Sequence, residues 1–544
     1  MLMHRLGIYY QYAYATSFLA KLLVHLAMEK SLSLRIRTKA PTTSERGDGR
    51  ENTTDNGVQD YQEDETEQEE PLSPFARLYH TPCLNSCIVV ILGFVTTVDV
   101  DVLKAHFAKY LSQHRRFSSK LEFDTENGKK PRWVLTKVNL DDHVIIPDVD
   151  PDTKNLDRFI EDYATDLSNK PFDLSKPLWE FHVLKIRTSN AEAIGFFRVH
   201  HSLGDGMSLL ALTLSMSRKS SNPDEFPSIP TPIRKIRKSG DGGPYRYLVA
   251  LWSMLQLIWN TLVGFTLQLA TIFFLKDTVT PLRSGKVDER SPKRIAYRLV
   301  SLDDIKFVKN EMNTTINDVI VGLTNAALSR YLHDVCEEGS IRAKRVFHMK
   351  KLRLRGIVAV NVREAITIQD LVDVVEKGSK CKWGNVAGCI LIPFHVNTEK
   401  EPLEYVRRAK LLIDRKKLSL EAKLSYYVVA GGVKLLCLKM IAAIMYRVLC
   451  NTTLMFSNVV GPVEEIDFCG HRVAYIAPTA RNGSGHPPGL VMHLMSYMNK
   501  MSVAVCANED LIPDPHKLLD DFEQSLDLMK KAAVQRKPNR KGQF

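Results

Sequence analysis

Residues 200–206 read HHSLGDG, an HHxxxDG pattern that closes one apolar run and opens another. The run before it, 193–199, is short and rich in aromatic and branched side chains, which predicts a buried strand. After it, Asp205 is a suitable N-cap for a helix over 207–214, and Gly206 permits a tight entry into that helix. The stretch therefore predicts a strand, a turn and a helix, with His201 in the turn.

A histidine in such a turn is a candidate general base. The turn holds the imidazole in place and leaves one ring nitrogen open to a substrate hydroxyl, as proton abstraction requires. A lone histidine is more often a hydrogen-bonded core residue, and for His200 the two interpretations are equally favoured. At His201, the neighbouring His200, Asp205 and Gly206 favour the catalytic interpretation.

Length and composition restrict the fold and the partners. At 544 residues the chain exceeds what one hydrophobic core supports, so we expect two domains. The net charge of +12 favours an anionic partner, which means nucleic acid, an anionic membrane surface or a phosphate-bearing cofactor. The sequence shows no zinc-finger, homeodomain or RNA-binding aromatic motif, so we expect no nucleic acid partner. Its nine cysteines lack paired CxxC spacing, which argues against a zinc site or disulfide framework and favours a reducing compartment.

The chain divides into five parts. Residues 40–70 are rich in Thr, Glu, Asp, Asn and Gln, which is typical of a disordered spacer. A loop rich in Ser, Pro, Gly and basic residues begins at 220, and strand and helix patterns alternate on both sides of it. We expect a largely disordered N-terminal extension, an α/β domain, a linker, a second α/β domain and a basic tail, over 1–70, 71–219, 220–285, 286–530 and 531–544.

The predicted elements place the motif in a mixed α/β domain. We predict strands over 86–94, 132–138, 179–185, 193–200 and 356–362, and helices over 100–114 and 155–167. In the second domain, the pairs Ser301 with Asp304 and Thr315 with Asp318 each match a capping box and predict helix starts. The apolar stretch 426–448 is interrupted by basic residues, which favours an amphipathic or core helix.

The segment 247–275 carries no charged side chain and is long enough to cross a bilayer. A span would place the two α/β domains on opposite sides of the membrane, which is awkward if both contribute to one site. We therefore expect a helix or helical hairpin that lies in one leaflet, with the basic run 234–238 meeting anionic headgroups. A buried core helix is the alternative.

Several short blocks join HHSLGDG in resembling the plant-type wax ester synthase/diacylglycerol acyltransferase family. They are PLSP (71–74), PLWE (177–180), ND (317–318), WGN (383–385) and SNVVGP (457–462), and they follow the family's order between residues 71 and 529. The HHxxxDG pattern alone is shared with the wider coenzyme A-dependent acyltransferase superfamily, and the other blocks narrow the resemblance. One departure is Val460, where the family blocks often carry a proline.

The resemblance implies an α/β fold of two chloramphenicol-acetyltransferase-like domains with the active-site tunnel at their interface. It implies an acyl-CoA-dependent O-acyltransferase that transfers a fatty acyl group to a long-chain alcohol, giving a wax ester, and to diacylglycerol as a second activity. His201 would accept the alcohol proton while the oxygen attacks the thioester carbonyl, without an acyl-enzyme. Acyl-CoA is then a substrate, and no cofactor or metal is expected.

The resemblance also assigns further residues to the site. Asn317 would donate to the developing oxyanion, although the same position fits a helix start with Asp318 as the capping acid. Asp205 would hold the turn through a charge-assisted contact, with an arginine as the expected partner. Roles in orienting the turn or lining the tunnel wall are implied for His200, Gly206 and Asn458.

Lipid substrates favour the endoplasmic reticulum membrane, with the catalytic domains facing the cytosol and the plasma membrane as the alternative location. Two other functions stay open. One is a BAHD-like acyltransferase with a soluble acceptor, which is disfavoured because the DFGWG motif is absent and 247–275 is uncharged. The other is a non-catalytic lipid-binding protein, which has no need for the intact His201 and Asp205.

Overall fold

The structure, a computed structural model, describes residues 69–123, 130–230, 245–283, 292–338, 352–363, 383–396, 401–482 and 489–536. Its strands are β1 (Glu69–Pro71), β2 (Ser86–Phe94), β3 (Ser119–Glu122), β4 (Arg132–Leu135), β5 (Val144–Ile145), β6 (Trp179–Leu184), β7 (Ala193–His200), β8 (Ser217–Lys219), β9 (Lys293–Ser301), β10 (Leu354–Asn361), β11 (Ala387–Phe394), β12 (Leu454–Val460), β13 (Ile466–Phe468), β14 (His471–Asn482), β15 (Leu490–Tyr497) and β16 (Lys500–Asn508). Its helices are α1 (Pro74–Tyr79), α2 (Val100–Tyr110), α3 (Leu156–Asn169), α4 (Gly206–Ser215), α5 (Tyr245–Phe273), α6 (Leu302–Glu311), α7 (Ile316–Glu338), α8 (Leu403–Lys417), α9 (Glu421–Leu435), α10 (Leu438–Cys450) and α11 (Pro515–Gln535).

Two large sheets confirm the α/β prediction. The first has seven strands in the order β5-β6-β7-β2-β14-β13-β8, and the second has six in the order β11-β10-β12-β15-β16-β9. Strands β2 and β7 have the predicted bounds and pair antiparallel at the centre of the first sheet. Both strands are buried along nearly their whole length, which explains their unbroken apolar sequence. The motif turn therefore follows a central strand.

The C-terminal half of the sequence contributes strands to both sheets. Strands β13 and β14, from the C-terminal half of the sequence, belong to the first sheet, where β14 pairs antiparallel with β2. The halves are therefore more intertwined than the expected boundaries 71–219 and 286–530 imply. The expected extension 1–70 lies outside the described residues except for its last two, and so does the basic run 234–238. Helix α11 continues to Gln535, into the expected tail.

The cores explain how the sheets are held. One face of the six-stranded sheet packs against α7, α8 and α11 in a cluster that includes Phe456, Met492 and Leu494. Its opposite face carries Val491 and Cys506, which pack with Ile91 of β2 in a cluster shared by both sheets. Because strand side chains alternate, odd-numbered positions of β15 face the first sheet and even-numbered ones face the helices.

Helix α5 confirms the prediction that the apolar segment 247–275 is helical. The alternative of a buried core helix is wrong, because much of the helix surface is exposed. Its outward side chains include Trp252, 62% exposed, and Trp259, 67% exposed. Among the described residues it is the one helix long and apolar enough to cross a membrane. A polar stripe faces the protein instead: Asn260 donates to the Leu418 carbonyl (3.1 Å) and Gln268 donates to the Cys389 carbonyl (2.9 Å).

The stretch 426–448 forms parts of two helices, α9 and α10, rather than one. The break falls at Leu436, whose backbone is extended. A Cβ on Gly432 would lie 2.6 Å from Cδ1 of Ile441, so the glycine allows α10 to pack closely on α9.

Candidate active site

The motif turn has the predicted strand, turn and helix. His200 ends β7, and the backbone N–H of His201 donates to the Ser86 carbonyl of β2 (2.9 Å). The Asp205 carboxylate then accepts from the Ser208 N–H (3.0 Å), which caps α4. The turn is therefore fixed at one end by a hydrogen bond between two backbone groups and at the other by the side-chain cap of Asp205.

His201 is held in one tautomer by Asn385. Its Nδ1 lies 3.1 Å from Oδ1 of Asn385, and Nδ2 of Asn385 donates to the His201 carbonyl (2.9 Å). Because an amide oxygen only accepts, Nδ1 carries the proton and Nε2 is left with its lone pair. The Tyr79 ring stacks on the imidazole with centroids 4.2 Å apart. His201 thus has the form that a general base requires.

Burial also sets the charge of this imidazole. It lowers the pKa of His201 below the ordinary value of 6.5, although Asp205 and the hydrogen bond to Asn385 act in the opposite direction. The residue as a whole is half-buried. At neutral pH the imidazole of His201 is therefore uncharged.

Asp205 makes the expected contact with an arginine, and that arginine belongs to the other half of the chain. Nη1 and Nη2 of Arg363 donate to the two carboxylate oxygens at 2.8 and 3.1 Å, with both side chains buried. The same carboxylate accepts from the Val386 N–H (2.9 Å). The motif aspartate is thus fully hydrogen-bonded inside the protein, and its contacts are structural.

Arg363 also positions the segment that carries Asn385. Its Nη2 donates to the Gly384 carbonyl (2.7 Å) and to Oγ of Ser208 (2.9 Å). Gly384 has a φ of +107°, a conformation that favours glycine, and Nε1 of Trp383 donates to the Leu203 carbonyl (2.8 Å). One hydrogen-bond network therefore connects Asp205, through Arg363, to the segment that carries Asn385, and Asn385 fixes the tautomer of His201.

Sequence reasoning missed Arg363, Asn385 and Tyr79. The WGN block at 383–385 contributed only to the resemblance, and its glycine was the available signal of a special turn. Nothing local marked Arg363 or Tyr79, because their contacts with the motif span long distances along the chain.

Both ring nitrogens of His200 are within hydrogen-bond distance of other protein side chains. Nδ1 lies 2.7 Å from Oγ of Ser202, and Nε2 lies 3.2 Å from Oδ1 of Asn85. The His80 ring stacks on it, with centroids 4.4 Å apart. Burial holds the pKa of His200 well below its ordinary value. This environment leaves no nitrogen for a substrate and suits a residue that orients the turn.

Asn317 and Asn458 contact each other. Nδ2 of Asn458 donates to Oδ1 of Asn317 (2.6 Å) at the start of α7. The predicted capping box is also present, since Asp318 Oδ2 accepts from the Thr315 N–H (2.8 Å) and Thr315 Oγ1 accepts from the Asp318 N–H (3.3 Å). No hydrogen bond between described residues joins this asparagine pair to His201.

Gly206 faces the second sheet. A Cβ placed on it would lie 3.7 Å from Cγ2 of Val459 on β12, so β12 passes directly beside the motif turn. Within the described ranges, no group of His, Cys, Asp and Glu side chains is arranged to hold a metal ion.

We expect the Asn385→Ala variant to lose activity more than stability. Without the amide, Nδ1 of His201 loses its partner, and the imidazole is free to take the tautomer whose Nε2 carries a proton and cannot act as a base. The catalytic rate constant should fall roughly tenfold to hundredfold, which is less than for loss of the base itself. Asn385→Asp is the companion variant: it keeps the acceptor for Nδ1–H, so it should retain more activity than the alanine variant. Equal rates for wild type and Asn385→Ala would contradict this role.

Comparisons with family profiles and with known protein sequences match this chain to the same family. A profile described as the wax ester synthase/diacylglycerol acyltransferase catalytic domain matches residues 80–320, and the WS/DGAT C-terminal domain matches 383–530. The chain is 46% identical over 477 residues to wax ester synthase/diacylglycerol acyltransferase 11 of Arabidopsis thaliana, covering 87% of this chain and 97% of that protein. It is 42% identical over 514 residues to number 6 from the same plant, covering 90% and 98%.

A solved structure is similar in fold. The wax ester synthase/diacylglycerol acyltransferase from Marinobacter aquaeolei VT8 superposes with a TM-score of 0.54 at 19% identity, covering 86% of this chain and all of that one (100%). At this identity the likeness concerns the fold alone.

Proposed function

Because this chain belongs to the wax ester synthase/diacylglycerol acyltransferase family, we propose that it makes wax ester from fatty acyl-CoA and a long-chain alcohol, with diacylglycerol as a second acceptor. The family consists of acyl-CoA-dependent acyltransferases, and this chain is one of them. The observation that carries the proposed mechanism is the free Nε2 of His201, left unprotonated because Asn385 accepts from Nδ1.

In the proposed reaction, Nε2 of His201 takes the proton of the acceptor hydroxyl as its oxygen attacks the thioester carbonyl. The tetrahedral intermediate then expels the coenzyme A thiolate, which recovers the proton from the imidazolium. No covalent enzyme intermediate is needed. In support, burial raises the pKa of the nearby Cys389 thiol to about 11, so this thiol is not a thiolate nucleophile at neutral pH.

Asn317 is the proposed donor to the oxyanion, with Asn458 as its support in the site wall. Since Asn458 donates to the side-chain Oδ1 of Asn317, Nδ2 of Asn317 keeps both hydrogens for another acceptor. The side chain is exposed, as a substrate contact requires. A preorganised amide donor of this kind stabilises charge that develops on the carbonyl oxygen.

A membrane surface is the proposed source of the acceptor. Helix α5 turns its apolar side chains outward and binds the protein through polar ones, which reverses the arrangement of a soluble surface helix. The exposed Leu435 and Met440 of the neighbouring helices extend the same kind of surface. A helix attached along its side lies in one leaflet, and we place the enzyme at the endoplasmic reticulum with its catalytic halves in the cytosol. A soluble acceptor gives no reason for this surface.

We expect the double variant Trp252→Glu/Trp259→Glu to leave the membrane. Both indoles are exposed on α5, and replacing them removes two large apolar side chains and adds two charges that anionic lipids repel. Partition into lipid vesicles should fall about hundredfold, as measured by sedimentation. Leu174→Glu, an exposed leucine outside α5, is the matched control and should partition as wild type does. Equal losses in both proteins would argue against α5 as the membrane contact.

One experiment tests the function. Microsomes that contain the chain are incubated with labelled acyl-CoA and either hexadecanol or diacylglycerol, and the products are separated by chromatography. Labelled wax ester with hexadecanol is the expected result, with less triacylglycerol from diacylglycerol. Label found only in esters of added soluble phenols or in amides of added soluble amines would support the BAHD-like alternative, and no labelled product would support a binding protein.

A further inference from the structure

We propose that His493 is a second histidine of the reaction site and contacts the oxygen of the acceptor alcohol. The inference rests on the proposed function of His201. No sequence motif marked this residue, which lies in the apolar strand β15.

The strand geometry places His493 on the side of the second sheet that faces the motif turn. Its Cα partner on β12 is Ser457, and Val459 lies on the same face of β12 as Ser457. Val459 is the residue that lies beside Gly206 of the motif. Met495, on the same face of β15, packs into the core of the first sheet. His493 therefore belongs to the wall opposite His201.

The imidazole of His493 has an unused nitrogen. Its Nδ1 is buried and has no hydrogen-bond partner among the described residues. A buried polar atom without a partner costs free energy, so it calls for an explanation such as a bound ligand or a functional contact. A substrate hydroxyl in front of His201 supplies the missing partner.

The environment of His493 agrees with this role. Burial, and to a smaller extent the charge of a protonated His201, lower the pKa of His493 to about 4. At neutral pH His493 is therefore an uncharged group that can donate one hydrogen bond without competing for the proton.

The chemistry points to the acceptor oxygen. During proton abstraction this oxygen must lie within hydrogen-bond distance of Nε2 of His201. A neighbouring N–H that donates to one lone pair of the same oxygen directs the hydroxyl hydrogen towards His201 and leaves the other lone pair for the carbonyl carbon. His493 thus aligns the alcohol, while His201 accepts the proton.

The test uses the full-length enzyme with His493→Phe and His493→Asn. Phenylalanine fills the space without a polar atom, whereas asparagine keeps an amide close to the Nδ1 position. We expect His493→Phe to lower kcat/KM for hexadecanol about tenfold, with the KM for acyl-CoA unchanged, and His493→Asn to recover most of the loss. A merely structural role would not produce this split between the two substrates or the recovery by asparagine.

His106→Phe is the matched control, because Nδ1 of His106 is also buried without a partner among the described residues but lies on α2, beside Lys109 and His471. It should leave both constants unchanged. The inference is overturned if His493→Phe keeps wild-type kcat/KM, if the KM for acyl-CoA rises in parallel, or if asparagine recovers nothing. A His201→Ala enzyme that still forms ester would instead overturn the proposed base, so the two failures are distinguishable.

Discussion

His201→Ala should lower ester formation by about 10² to 10⁴ while the protein stays folded. The imidazole accepts the acceptor proton in the proposed reaction, and neither of the other two imidazoles in this region can replace it. Both nitrogens of His200 are hydrogen-bonded within the protein, and the pKa of His493, lowered to about 4, makes it a much weaker base. Rates are measured with labelled acyl-CoA and hexadecanol at saturating concentrations of both substrates, so that the loss appears in kcat.

The His201→Asn variant distinguishes the loss of the base from the loss of the hydrogen bond to Asn385. Its amide can still donate to Oδ1 of Asn385, but it cannot accept a proton at neutral pH. Both variants should therefore be equally inactive, and their melting temperatures should differ from each other, with the asparagine variant closer to wild type. Asn317→Ala should lose less activity than either, since one amide donor is removed and the base is kept. Activity of His201→Ala within threefold of wild type would contradict the mechanism.

Arg363→Ala should destabilise the protein by about 3–5 kcal/mol, because it leaves the buried Asp205 carboxylate without its charged partner. Urea titration followed by tryptophan fluorescence gives the change in midpoint. Activity should fall as well, since Arg363 also holds the Gly384 carbonyl next to Asn385. Arg363→Lys keeps the positive charge but cannot make the bidentate contact with the carboxylate. Compared with Arg363→Ala, we therefore expect it to recover stability better than activity.

A double-mutant cycle provides the control for this pair. Asp205→Asn keeps a good helix cap and removes the charge, so Arg363→Ala should cost much less in the Asp205→Asn background than in the wild type. Additive effects of the two substitutions would show that the pair is not coupled, and the structural role of the motif aspartate would have to be rejected.

The local parts of the site were predictable from sequence, and the long-range parts were not. Apolar runs predicted β2 and β7 with their observed bounds, and capping residues predicted the starts of α4 and α7, because these signals lie within a few residues of what they specify. Arg363 contacts Asp205 across 158 positions of sequence and carries no pattern of its own. The pairing of β14 with β2 in the first sheet could not be predicted either, because the sequence of a strand does not specify its partner strand.

The pairing of β2 with the distant strand β14 also determines when the first sheet can be completed during synthesis. Strand β2 leaves the ribosome early, but its partner β14 follows only after most of the chain has been made, which takes tens of seconds at roughly 5–20 residues per second. Until then one edge of an apolar central strand has no neighbour and is open to wrong pairings. Nascent chains stalled before residue 471 should therefore bind chaperones, and release should coincide with emergence of β14.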